Sequence, residues 1–235
     1  MKTIAIMQPY FLPYIGYFQL INAVDQFVVY DNIQFTKKGW FHRNRILVNG
    51  RDKMFTVPLN KGSDYLNVVQ RELADSFDKE SQKILRTIEA SYRKAPYYKE
   101  IMSLVEQCFQ CRSGNLFDFI HASLTLVIQF LEIDTDIIIS SSIDIDHTLK
   151  SQDKVLAICK SLNADIYINA IGGRDLYTAE AFRNEGIELH FLKTNPIEYR
   201  QFDNKFVPWL SIIDVMMFNS KEKIDDYLHN YYSLI

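Results

Sequence analysis

Positive charge is not in excess: 26 Lys and Arg stand against 29 Asp and Glu, a formal charge of -3. The basic footprint of a nucleic-acid binder is therefore missing, and any such contact would need a local patch. Cysteine is down to three, an odd number with no export signal beside it, which argues for free thiols in a reducing compartment and against a disulfide frame. Long apolar runs are short too. Residues 1–7 are broken at Gln8 and Pro9, too early for a signal peptide, while 116–131 falls short of a membrane span and carries Asp118, His121 and Gln129. A cytoplasmic protein with no membrane span is expected. Glycine and proline number only 8 and 6, and no GxSxG, Walker or GxGxxG signature occurs, so hydrolase, P-loop and dinucleotide readings lack their usual support. What is present is apolar and aromatic: 48% of the 235 residues are hydrophobic, with 14 Tyr and 16 Phe, enough for a globular core and incompatible with disorder as the main state.

The pattern alternates between strand and helix. Residues 3–7 read as a short buried strand running into a loop stiffened by Pro9 and Pro13, then a helix from Gly16 and a strand at 27–30 ending on Asp31. A polar stretch covers 32–49, and a strand follows at 53–59. Helical spacing fills 75–111 with a break at Pro96, and 116–131 reads as a core helix. Strands at 136–140, 165–170 and 187–192 then alternate with helices at 152–162 and 178–185. The expectation is an α/β fold, one domain over 1–235 with a mostly parallel sheet and a helical subdomain inserted at about 75–131. The loops after the strands gather at one carboxyl edge, where open α/β sheets bind ligands.

Four constellations could carry chemistry. Gln8, Tyr10, Tyr14 and Tyr17 lie in a rigid proline-bearing loop whose last N–H groups open a helix and suit an anion; an aromatic mini-core pinning the loop is the equal alternative. The segment 31–45 is the densest. It holds Asp31, Gln34, Lys38, Trp40, Arg43, Asn44 and Arg45, equipment for gripping phosphate and stacking a base or sugar, set against the plainer reading of a solvated basic hairpin. Gly172, Gly173 and Tyr177 follow a strand, where backbone can approach a ligand or simply turn. Ser211 and Asp214, three apart before an apolar run, read as a helix cap. Cys108 and Cys111 have the spacing of a zinc half-site with no second half, so no metal is expected, and His121 and His147 read as structural or surface residues.

With those residues in view, the chain resembles the WbqC-like family through residues 7–18, MQPYFLPYIGYF, and through the segment from Asp31 to Ile46 with its QF, Trp and RNRI elements. The likeness continues at 172–177, 199–202 and 206–219, and Met7 stands where many members have His. The resemblance implies a product of a surface-polysaccharide (O-antigen, lipopolysaccharide) cluster that attaches an amino acid such as glycine, or another acyl group, to a nucleotide-linked amino sugar. A second likeness, of layout, is to the HxGH nucleotidyltransferase-like class, with residues 14–17, YIGY, in the HxGH place and both histidines missing. That class includes enzymes forming amides through an acyl-adenylate, which makes ATP with Mg a candidate cofactor. On this reading Arg43, Arg45 and Lys38 hold diphosphate, Trp40 or a tyrosine stacks, and Asp31 and Arg43 stand at the reacting centre, Asp31 accepting the proton of the attacking amine. The partners are a sugar nucleotide and an acyl donor, with no nucleic acid and with a homodimer left open. The alternative is a non-catalytic sugar-nucleotide or glycan-pathway binding protein using the same surface for affinity.

Overall fold

A computed structural model describes residues 1–63, 65–110, 113–203 and 205–235. The chain runs β1 (Thr3–Met7), α1 (Ile15–Asn22), β2 (Gln26–Val29), the hairpin β3 (Arg43–Val48) and β4 (Arg51–Thr56), then α2 (Phe77–Tyr92), α3 (Tyr98–Cys108) and α4 (Leu116–Phe130). It continues through β5 (Asp136–Ile139), α5 (Ser151–Ser161), β6 (Ile166–Ala170), α6 (Ala179–Asn184), β7 (Glu188–Thr194), α7 (Ile212–Phe218), α8 (Lys221–Asn230) and β8 (Tyr232–Leu234). Six strands form one mixed sheet in the order β5-β2-β1-β6-β7-β8. The first five are mutually parallel, and β8 closes the edge antiparallel to β7. The fold is α/β with a mostly parallel sheet.

The central strands are apolar on both sides because helices cover both faces. Ala5, Phe27 and Val29 join a large core with α1, α2–α4, α7 and α8, while Ile4, Ile6 and Val28 point the other way onto Ile158 and Cys159 of α5 and Phe182 of α6. The helices α2–α4 share the large core with the sheet. Pro96 separates α2 from α3, and the Asn115 side chain accepts the Phe117 and Asp118 N–H groups to start α4.

The second half of the polar stretch 32–49 is β3, paired with β4 through an Asn49–Gly50 turn in which both residues have positive φ, the geometry a tight hairpin favours. The strand expected at 53–59 lies at Arg51–Thr56. Two C-terminal elements, α8 and β8, had no counterpart in the sequence reading. Cys108 is buried, and burial pushes its thiol pKa up to about 12; Cys111, the other half of the CxxC spacing, lies outside the described residues. Among the described residues no helix is long and apolar enough to cross a membrane.

Candidate functional site

The loop between β1 and α1 is held in a shape its own sequence would not adopt alone. Leu12 is buried and left-handed at φ 45, a conformation that costs a non-glycine residue free energy and persists only when its surroundings fix it. Asn44 of β3 fixes it, donating to the carbonyls of Phe11 and Leu12 while its own Oδ1 accepts the Arg45 N–H. Ser211 Oγ donates to the same Leu12 carbonyl at 2.7 Å and accepts the Ile213 N–H, so the expected cap forms. Tyr17 OH donates to the Gln8 carbonyl at 3.0 Å. The helix begins at Ile15 with no side chain capping it; the Tyr17 N–H bonds back to the Tyr14 carbonyl at 3.0 Å. A Cβ on Gly16 would collide with the Tyr14 ring and Thr194 Oγ1, so only glycine permits this approach of α1 to the end of β7.

Beside the loop stands a cationic, aromatic plate. Arg43 and Arg45 of β3 lie 5.3 and 5.5 Å from the centre of the Trp40 ring, and Tyr10 packs on the same indole at 6.0 Å. Arg45 is anchored by Asp52 of β4 at 3.3 Å and donates to the Trp209 carbonyl at 3.3 Å. Arg43 donates to the Lys38 carbonyl, and Lys38 itself is exposed. Burial raises the Tyr10 pKa, opposed first by Arg45, so its hydroxyl stays protonated at neutral pH. Gln34 is further out, exposed and bridged to Asn67.

Next to Tyr14 the carboxyl ends of β6 and β7 open into a cavity of about 780 Å³. Its walls are Ile171 after β6, Leu192–Thr194 of β7, the start of α1, and residues from 195–199 and 205–210, which lie outside helix and strand. Lys193 and Lys205 supply positive charge, Glu198 a carboxylate, and Phe206 and Trp209 aromatic surface. This last wall is tied down by Asp214 of α7, fully buried, whose carboxylate accepts from Tyr92 OH at 2.8 Å, Tyr199 OH at 2.7 Å and Gln201 Nε2 at 2.6 Å. Burial is the main cause raising the Asp214 pKa. Asp214 thus anchors the cavity wall, beyond the helix-cap role expected of it.

Asp31 belongs to a different corner of the same edge, where β2 and β5 end. Only 1% exposed, its Oδ1 accepts Ser140 Oγ at 2.7 Å and the Ser141 N–H at 2.9 Å. Lys154, on the first turn of α5 and 3% exposed, is nearby, donating to Asn32 Oδ1 at 3.2 Å with its ammonium over the Tyr30 ring. Burial lowers the Lys154 pKa and the Asp31 charge opposes that shift. At the end of β6 the Tyr177 hydroxyl accepts from Asn169 Nδ2 at 3.1 Å and from Tyr167 OH at 3.4 Å, and Gly173 packs on the Asn169 side chain; Gly172 is exposed with open space around it. The structure therefore joins Tyr10, Tyr14, Tyr17, Trp40, Arg43, Asn44 and Arg45 in one group, and places Asp31 in the β2/β5 corner and Gly173 and Tyr177 at the end of β6. Among the described residues no ion pair joins Asp31 to Arg43 or Arg45; those arginines take their orientation from Lys38, Asp52 and Trp209.

Sequence reasoning missed Thr194, Glu198, Lys205 and Trp209 as cavity residues: Thr194 closes β7 beyond the strand expected at 187–192, and the other three sit where the sequence has no periodicity; a lone Trp after Pro208 was the available signal. In chain order the parallel strands run third, second, first, fourth, fifth across the sheet, which reverses direction between β1 and β6. The sheet is therefore doubly wound, and the cavity lies outside the carboxyl ends of β6 and β7, with the start of α1 as one wall. The chain belongs to the WbqC-like protein family, whose model matches residues 8–226. It is also similar to the uncharacterized protein Rv1507c of Mycobacterium tuberculosis (strain ATCC 25618 / H37Rv), 27% identical over 230 residues, spanning 97% of this chain and 98% of that one. No solved structure matches it significantly.

Proposed function

We propose that the protein is an acyl or aminoacyl transferase that acts on a nucleotide-linked amino sugar in surface-polysaccharide biosynthesis. The observation that carries the reading is the cavity of about 780 Å³ at the β1/β6 reversal, bordered by the uncapped first turn of α1 and by Lys193 and Lys205. Backbone N–H groups at a helix start and flanking cations favour phosphate, and the size suits a nucleotide. The strand order and the position of residues 14–17 at the start of α1 support the nucleotidyltransferase-like layout, and with it an acyl-adenylate route using ATP with Mg. The cavity volume fits an adenylate, and Glu198 is the carboxylate in its lining available to a phosphate-bound metal.

In this reading Arg43 and Arg45, the latter bonded to the Trp209 carbonyl of the cavity wall, hold the diphosphate, and a carboxylate takes the proton released when the sugar amine attacks the acyl carbon of the adenylate and AMP departs. Two acids are candidates: buried Asp31 in the β2/β5 corner and Glu198 in the cavity wall. The burial of Asp31 and its two hydrogen bonds favour the alternative in which this corner is structural, and the catalytic comparison between the two acids decides it. Calorimetry with a nucleotide-linked amino sugar tests the ligand class. Arg43→Ala and Arg45→Ala should each weaken binding by roughly 1.5–3 kcal/mol, the range for a charged hydrogen bond, with a steep salt dependence. Affinity equal to wild type in both folded variants would remove the arginines from the site.

A further inference from the structure

Trp209 is an expensive residue to leave where it is. Its indole is 57% exposed and its backbone is left-handed at φ 60, a conformation that disfavours every side chain but glycine. The structure fixes it there from both sides: its carbonyl accepts from Arg45, and two residues on the Ser211 N–H bonds the Arg45 carbonyl at 2.9 Å while Leu210 is buried. The result is an indole presented over the cavity, its ring centre 6.0 Å from Tyr14 and nearly edge-on to it. The other tryptophan cannot serve in this way. Both Arg43 and Arg45 lie against Trp40, and Tyr10 packs on it as well, so its surface is taken by the protein.

We infer that Trp209 is the stacking platform for the planar base of the nucleotide, closed on one side by Tyr14. The inference rests on the proposed nucleotide ligand and deepens it by assigning the base. The observations favour a heteroaromatic ring over an acyl chain for two reasons. An exposed indole edged by a tyrosine offers a flat π face, and every base can stack on such a face. Lys193 and Lys205 line the same cavity, so a phosphate attached to that base meets positive charge.

The chain's two tryptophans make the test direct. In Trp40→Phe the only remaining indole is Trp209, and titration with UDP and with ADP should quench its fluorescence, whereas glucosamine 1-phosphate, which has sugar and phosphate without a base, should not. By calorimetry Trp209→Ala should weaken UDP or ADP by roughly ten- to a hundredfold, the size of base stacking on an aromatic side chain, and Trp209→Phe should recover most of the loss. Melting curves close to wild type confirm the fold of both variants. Wild-type affinity for UDP and ADP in Trp209→Ala overturns the base assignment and leaves the nucleotide reading standing. Equal quenching by glucosamine 1-phosphate assigns the platform to the sugar and overturns it as well. Absence of any nucleotide binding to wild type overturns both.

Discussion

At the scale of single residues, buried polar groups hold the site together. Asp214 collects three donors from α2 and the segment 195–210, and without it two hydroxyls and an amide would lose their acceptor inside the core. His42 is a different case. Burial first, then the charges of Arg43 and Arg71, lower its pKa from 6.5 to about 4, and its ring packs on Phe35. A histidine whose pKa falls on folding is neutral in the native state while the unfolded chain takes up a proton below about pH 6.5. Stability contributed by the neutral ring is therefore present above that pH and lost as pH falls toward 4. Wild type should lose about 2 kcal/mol over this window from His42, after discounting for its partial exposure, relative to His42→Phe. Urea titrations of both proteins at pH 7 and pH 4.5 check it, and parallel stability losses would show that the ring titrates normally.

At the scale of elements, the loop 8–14 and the hairpin β3–β4 form one unit. Asn44 staples the left-handed Leu12 turn from β3, Ser211 from the start of α7, and the Phe11 N–H bonds the Phe41 carbonyl at 3.1 Å. Asn44→Ala should destabilise the fold by about 2–3 kcal/mol, since it leaves two buried carbonyls with fewer donors. It should also weaken nucleotide binding, because Tyr10 and Tyr14 ride on that loop; thermal melts and calorimetry read the two effects. Destabilisation with unchanged binding would show that the loop does not shape the site. The sequence made the loop legible through Pro9, Pro13 and the aromatic run, and the strand-helix-strand order through short apolar runs. It could not reveal that Asn44 turns inward, because an asparagine between two arginines has the same local pattern whether it faces ligand or backbone. The first strand of the hairpin was hidden for a related reason: Arg43, Asn44 and Arg45 open it as a polar run, and only the Asn49–Gly50 pair announced the turn.

At the scale of the whole molecule, the sheet order decides what can meet. The reversal between β1 and β6 brings the start of α1 beside β7, about 180 residues later in the chain, and builds the cavity from segments that no local pattern connects. That is why the densest polar cluster in the sequence drew attention to residues 31–45 while much of the cavity wall comes from 192–209. The same geometry separates Asp31 from the arginines, and it gives the account two acids to compare.

Acyl transfer to the amine of a nucleotide-linked sugar is read by mass spectrometry of that sugar after incubation with acyl and aminoacyl donors, with and without ATP and Mg. Wild type should add the mass of one acyl group to the amine. Whichever of Asp31→Asn and Glu198→Gln cuts the product by roughly a hundredfold while leaving the fold and Mg-dependent nucleotide binding intact identifies the proton acceptor; loss of Mg-dependent binding in Glu198→Gln assigns that residue to the metal instead. If wild type binds the nucleotide sugar yet yields no acylated product with any donor, the protein is a binding module of the glycan pathway and the transferase reading is wrong.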